Sequence, residues 1–369
     1  MPFTAYGFIA AVALALLLVV TRLCCRKAAD LSAFLRFTVL AVPLALVCSR
    51  LVYVLSSLSY YTETVGHPEL IFALRDGGYS MLGAIIGVLL AACIAEKWNR
   101  LPAFTLLDAA AIGVPAALVI ARMAEPICGM GWGYPYYSPL FYFLDELTQD
   151  MGDFAQTHPV FAYEALTALA ILAVLILLRR TETGRIPGDS LLTFLLLYGT
   201  SQAVWESMLN GGHMKVIHFV KINQVAALIM ALIPLIVWSV RLAGIPHYRR
   251  NVAAGWALTV VCILSAVVQE FSVEGADNPY FSVVLVGGVA AGLLALTALL
   301  WCLAWKRSGV LRLLPVILCA AIAVIAAIID RATDVGDHYR LVLWGIMACD
   351  MAIVAANGLR QRIIANLNP

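Results

Sequence analysis

Long apolar runs recur along the whole chain, each near the 20 residues needed to cross a hydrocarbon core and each bounded by a short polar connection. About eleven such spans are read, at residues 5–22, 34–57, 79–95, 104–121, 159–178, 190–208, 222–240, 254–272, 282–305, 313–329 and 341–358. Lipid offers the backbone no hydrogen-bond partner, so open runs of this kind must fold as helices. The expected fold class is therefore all-α: a polytopic helical integral membrane protein. A chain that is 63% hydrophobic and 12% charged has too little polar surface for a soluble domain, which supports the same class.

The polar connections alternate in sign. One set carries Arg22, Arg26 and Lys27, then Lys97 and Arg100, Arg179 with Arg180 and Arg185, Arg249 with Arg250, Lys306 with Arg307, and Arg360 with Arg362. The other set is acidic or mixed, with Glu63, Glu69, Asp145, Glu146, Asp150, Glu270 and Asp334. Positive residues stay on the cytoplasmic side, so the N-terminus is expected outside and the C-terminus inside. No basic residue precedes the first run and a basic cluster follows it, so it reads as an anchoring span rather than a secretory signal.

Composition changes the picture little. A net charge of +2 leaves no electrostatic footprint for nucleic acid. Most of the nine cysteines fall in apolar runs and read as small packing residues. No CxxC pair, HExxH, P-loop or GxGxxG string occurs, so neither a metal nor a soluble cofactor is expected. Two parts are distinguished. Residues 1–243 hold seven spans and nearly all the unusual polar residues; residues 252–369 form a four-span membrane extension of unknown role. A linker at residues 243–250 joins them.

Ionisable residues at membrane depth cost roughly 2.5–3.5 kcal/mol each on insertion scales, so those that persist are functional candidates. Arg50, Arg75, Asp76, Arg122, Glu125, His158, Glu164 and Glu206 flank or interrupt the apolar runs. Asp76, Gly77, Gly78 and Ser80, followed by Gly83 and Gly87, place a glycine-rich turn at the mouth of the third span. It suits either an anionic head group or close helix packing. Arg122 leads into a loop broken by Pro126 and rich in glycine up to Gly133, a reasonable phosphate clamp or a snorkelling interface residue. Trp132, Tyr134, Tyr136, Tyr137, Tyr142 and Phe143 read as an aromatic interface belt or a lid. Tyr198, Gln202 and Glu206 are four apart and share one helix face, which must look toward protein or a wet cavity.

In order and spacing these residues resemble the bacterial prolipoprotein diacylglyceryl transferases over roughly residues 4–240. Tyr6-Gly7 is similar to that family's YG; Arg50 with Tyr53 to its RxxYV; the Asp76–Gly87 segment to its DGGxSxxGGxxG. Asp108, Arg122, Gly129 and Gly133 fall where its signature loop has Asp, Arg and glycines. His158-Pro159 with Tyr163-Glu164 resembles HPxxxYE, Tyr198 to Glu206 resembles YGxxRFxxE, and Gln224 falls on its GQ. There are departures. Leu82 replaces a family histidine, Gln202 an arginine, Glu125 and Met130 positions usually Asn and Glu, Cys128 an Asn, and Phe161 a glutamine.

The resemblance implies transfer of a diacylglyceryl group from phosphatidylglycerol to the lipobox cysteine of a prelipoprotein. The implied partners are phosphatidylglycerol, the prelipoprotein signal peptide and membrane lipid, in a bacterial inner membrane with the site near its outer face. The expected catalytic residues are Arg122 as phosphate cation, and Glu206, Glu125 or His158 as base. The expected substrate-binding residues are Tyr6, Arg50, Asp76, Gly77, Gly78, Ser80, Gly133, Tyr163, Glu164, Tyr198 and Gln202. The departures leave as alternative a silent or altered-specificity homologue that binds lipid or a membrane partner. A transporter would require repeat symmetry that the sequence lacks.

Overall fold

The computed structural model describes residues 2–58, 61, 71, 78–99, 102–135, 157–180, 187–209, 215–217, 220–246 and 248–250, with scattered positions beyond. Seven long helices account for most of them: α1 (Pro2–Cys25), α2 (Leu31–Ser56), α3 (Met81–Asn99), α4 (Ala103–Ala124), α5 (Val160–Arg180), α6 (Asp189–Met208) and α7 (Ile222–Ala243). Each falls on one of the first seven apolar runs. The last four expected spans, at 254–272, 282–305, 313–329 and 341–358, lie almost wholly outside the described residues, as do Arg75, Asp76, Gly77 and Tyr136 to Phe143.

Among the described residues, six helical segments are long and apolar enough to cross a membrane: Ala5–Cys25, Leu31–Ser56, Met81–Trp98, Ala103–Cys128, Val160–Arg180 and Ile222–Ala243. The chain is thus a multi-pass membrane protein. α6 is the polar exception, with Thr193, Thr200 and Glu206 buried along it. Val39, Val47, Leu55, Leu166 and Leu177 stay exposed, as expected of a surface whose solvent is lipid. The departure from an all-α class is a two-stranded antiparallel ribbon, β1 (Lys215–Ile217) and β2 (Val220–Lys221), between α6 and α7.

Two compact units divide the chain. One comprises residues 1–137 and 141–230, the other 138–140 and 231–369. In the first, α2 packs on α3, and α4 packs on α1, α5 and α6. Gly83 and Gly87 let α3 lie directly on α2: a Cβ at either position would strike the backbone of Cys48 and Ser49 or of Leu44 and Ala45. Phe34, Phe37 and Leu106 fill one core; Ile112, Ile171, Phe194 and Tyr198 fill another. Asp108, half-buried in α4, accepts the backbone N–H groups of Gly188 (2.7 Å) and Leu191 (3.0 Å). It thereby satisfies donors at the start of α6 that no intrahelical carbonyl reaches. Pro43 and Pro115 are tolerated inside α2 and α4, as in other helices buried in protein and lipid. In the second unit, Trp238 is fully buried and Trp256 Nε1 donates to Ser239 Oγ at 2.9 Å.

Candidate functional site

Arg122 sits in the last turn of α4, where its guanidinium leaves the apolar stretch that carries it. The next residues, Glu125–Cys128, tighten into a single 3-10 turn with Pro126 near its start, and Gly129 closes it in the left-handed region (φ 72°). The turn puts Glu125 back beside Arg122, with Oε1 2.5 Å from Nη1. Gly131 also has positive φ (82°), and a Cβ there would meet Phe161 Cβ at 2.7 Å and Glu125 Oε2 at 2.9 Å. Only glycine leaves room for that carboxylate at that backbone angle.

The chain then laces into its neighbours through backbone bonds. Phe161 N–H donates to Gly131 (2.9 Å), Gly133 N–H to His158 (2.8 Å), and Tyr134 N–H to Met208 (3.0 Å). Gly133 lies so close to α5 and α6 that an added Cβ would meet Val160, His158 and the Met208 carbonyl within 3 Å. These bonds fix the 131–134 segment against the start of α5 and the end of α6.

Held this way, residues from three motifs converge on one guanidinium. Arg122 Nη1 lies 3.2 Å from Glu164 Oε2 of α5, and Nη2 donates to Tyr198 Oη (3.4 Å) and Gln202 Oε1 (3.1 Å) of α6. Gln202 closes the ring by donating from Nε2 to Glu164 Oε1 at 2.9 Å. A primary amide both donates and accepts, so one residue can join the cation to the carboxylate. The burial is graded. The Glu164 side chain is 1% exposed, while Arg122 and Glu125 retain 21% and 14%. The sealed side of the cluster is therefore α5 and α6, and its open side is the Arg122–Glu125 pair. Tyr6 belongs to the same neighbourhood: α1 packs on the 125–128 turn, bringing this phenol within electrostatic reach of Glu125 and Arg122.

Other expected site residues are placed differently. Glu206, on the same α6 face, is directed to α7, where Asn223 Nδ2 donates to its Oε1 at 3.2 Å. His158 is almost fully buried and shares a hydrogen bond between Nδ1 and Tyr163 Oη (3.3 Å). Burial lowers its pKa from 6.5 to about 4, so the imidazole is neutral at physiological pH. Tyr163 also lies over Trp205, whose Nε1 donates to Thr167 Oγ1 (3.0 Å). Arg50 donates from Nε to the Ile71 carbonyl and from Nη1 to the Gly78 carbonyl, both at 3.1 Å, with Tyr53 and Tyr61 rings alongside. Ser80 anchors the start of α3, exchanging backbone and hydroxyl bonds with Ser49.

Lys221 is the residue that the sequence reading missed. It is 4% exposed, and its Nζ donates to the carbonyls of Glu206 (2.8 Å) and Leu209 (2.6 Å), close to the Tyr134 ring. It neutralises carbonyls that the end of α6 leaves without intrahelical donors. Its signal was faint: a lone lysine immediately before an apolar run looks like an interface anchor.

A family model described as prolipoprotein diacylglyceryl transferase matches residues 1–240. Relatives named phosphatidylglycerol–prolipoprotein diacylglyceryl transferase are similar to the chain at modest identity. The one from Clostridioides difficile (strain 630) is 28% identical over 174 residues, covering 47% of this chain and 65% of the relative. That from Bacillus velezensis is 30% identical over 182 residues, covering 47% and 64%. That from Lactobacillus johnsonii is 27% identical over 214 residues, covering 56% and 75%. The chain thus spans just under two thirds of the length of the first two relatives.

Proposed function

The chain belongs to the prolipoprotein diacylglyceryl transferase family, and we propose that it moves a diacylglyceryl group from phosphatidylglycerol onto the lipobox cysteine of a prelipoprotein. The observation that carries this reading is the ring of Arg122, Glu125, Glu164, Tyr198 and Gln202. Three separated stretches of sequence put their unusual polar side chains together around the guanidinium at the end of a membrane helix.

The chemistry is displacement at the glycerol carbon that bears the phosphate. The acceptor thiol gives up its proton, its sulfur forms the new S–C bond, and the C–O bond to phosphate breaks with its electron pair leaving on glycerol phosphate. Charge builds on the phosphate oxygens, and Arg122 is the residue that meets it. The contacts with Glu125, Glu164, Tyr198 and Gln202 engage both fork nitrogens of Arg122, so the phosphate enters by displacing Glu125, the more exposed partner. Three groups were named as base. Proton transfer to Glu125 would break its ion pair, and burial disfavours a charged His158. Glu206 has a neutral amide partner on its carboxylate among the described residues, so it can take the thiol proton without breaking an ion pair. Tyr198 and Gln202 then hold Arg122 in place, and Tyr6 stands at its rim. Gly133 with Tyr163 fixes the scaffold, as Arg50, Gly78 and Ser80 do for the connection into α3. Asp76 and Gly77, beside Gly78, keep the head-group role expected from their motif.

Lipid and signal peptide reach such a site sideways from the bilayer, in a bacterial inner membrane, with the N-terminus and the site toward its outer face. The first seven spans (1–243) carry the activity; residues 252–369 are an appended membrane part. Purified full-length protein incubated with phosphatidylglycerol and a lipobox peptide is expected to yield the diacylglyceryl thioether by mass spectrometry. Absence of that mass, with a family member active in parallel, overturns the assignment.

A further inference from the structure

One guanidinium faces two carboxylates, Glu125 at 2.5 Å and Glu164 at 3.2 Å, and the amide of Gln202 adds no charge. Glu164 is sealed and held by Gln202, so Glu125 is the carboxylate that answers Arg122 where the cluster opens. Glu206 is turned away toward Asn223 of α7, and His158 is neutral. A phosphate that takes Arg122 from the open side therefore meets Glu125 first, since Glu125 keeps exposure beside Arg122. Gly131 packs against Glu125 and Phe161, which fixes the carboxylate at this rim.

A head group that carries only a phosphate charge competes with Glu125 for Arg122 and leaves the displaced carboxylate facing a second anion. A phosphate followed two carbons later by an ammonium meets no such conflict. Its phosphate takes Arg122, its ammonium takes Glu125, and each ligand charge finds an opposite one at the rim. We propose that Glu125 sets donor specificity, making the head-group seat of this site one for a zwitterionic aminophospholipid of the phosphatidylethanolamine type, used at least as readily as phosphatidylglycerol. The inference rests on the transferase reading and names its donor class. The step balances as before. The cysteine thiol proton passes to a carboxylate, the S–C bond forms, the C–O bond breaks, and phosphoethanolamine leaves with the electron pair and later takes up the proton.

The test gives the full-length protein, in detergent micelles, a lipobox peptide with either dioleoyl-phosphatidylethanolamine or dioleoyl-phosphatidylglycerol. It reads the thioether mass and the released head group for the wild type, Glu125→Gln and Glu125→Asp. Calorimetric binding of the dihexanoyl forms of both lipids is measured alongside, independent of turnover. The expected result is an ethanolamine-to-glycerol donor ratio of one or more in the wild type. Glu125→Gln lowers that ratio about tenfold or more, and Glu125→Asp keeps it within a few-fold of wild type. The same shift should appear in the binding ratio. A ratio unmoved by Glu125→Gln, or no binding of the ethanolamine lipid, overturns the inference. Thioether from neither donor with the binding preference intact sinks the transferase reading and leaves the specificity assignment standing.

Discussion

Arg50 and Arg122 both lie near the ends of apolar helices, and the molecule surrounds them with different chemistry. Arg50 is 7% exposed and directs its N–H groups to two backbone carbonyls, Ile71 and Gly78, with Tyr53 and Tyr61 rings alongside. Arg122 keeps 21% of its side chain exposed and is held by side chains, namely two carboxylates, a phenol and an amide. Backbone carbonyls cannot swing away without unfolding the connection they belong to. Side-chain oxygens can rotate and let a ligand oxygen replace them. The first arginine thus ties α2 to the Ile71 and Gly78 carbonyls, and the second has the side-chain partners that the proposed phosphate seat requires.

The sharpest way to break that contrast is Arg122→Gln. It should lower the rate of thioether formation by about 10²–10³, the usual cost of deleting a donor aimed at developing charge, measured as initial rate by mass spectrometry. Next comes Arg50→Gln, which loses the charge-assisted bonds to the Ile71 and Gly78 carbonyls among others, each worth about 1.5–3 kcal/mol. Its effect should appear mainly as a lower Tm by intrinsic fluorescence, with activity per folded molecule falling less than tenfold. Gly133→Ala forces a methyl between α5, α6 and His158, and is expected to cost about 1–3 kcal/mol by the same measurement.

The smallest effect is the pH response of His158. Its folded pKa, about 4, lies below the unfolded 6.5, so the unfolded chain binds more protons between those values. This contribution is fully present above pH 6.5 and is lost as pH falls toward 4. The stability difference between pH 7 and pH 5 should therefore be smaller in His158→Gln than in the wild type. An equal difference in the two proteins would contradict the neutral, buried imidazole.

Among the described residues, helices were legible where an apolar run had polar ends, because length and hydropathy favour a membrane helix; α5, expected at 159–178 and found at Val160–Arg180, is one example. The spacing of Tyr198, Gln202 and Glu206 foretold a shared face but not its use. Two of the three turn to Arg122 and the third to Asn223, a choice set by how α4 and α7 approach α6. Gln202 read as a lost arginine, since its bridging bonds join residues 80 and 38 positions apart and no local pattern encodes them. Lys221 escaped notice for the same reason. Its partners are carbonyls, which every residue has.

The central claim is that Arg122, unlike Arg50, faces the reacting phosphate. The most direct measurement compares Arg122→Lys with Arg50→Lys, in matched amounts of folded protein, for thioether yield from a lipobox peptide over a range of donor concentrations. The account predicts that Arg122→Lys loses at least about tenfold in kcat/KM, because a point charge cannot reproduce the guanidinium fork, and that Arg50→Lys stays within about threefold of wild type once folded protein is matched. Equal losses, or a larger loss for Arg50→Lys, would contradict it.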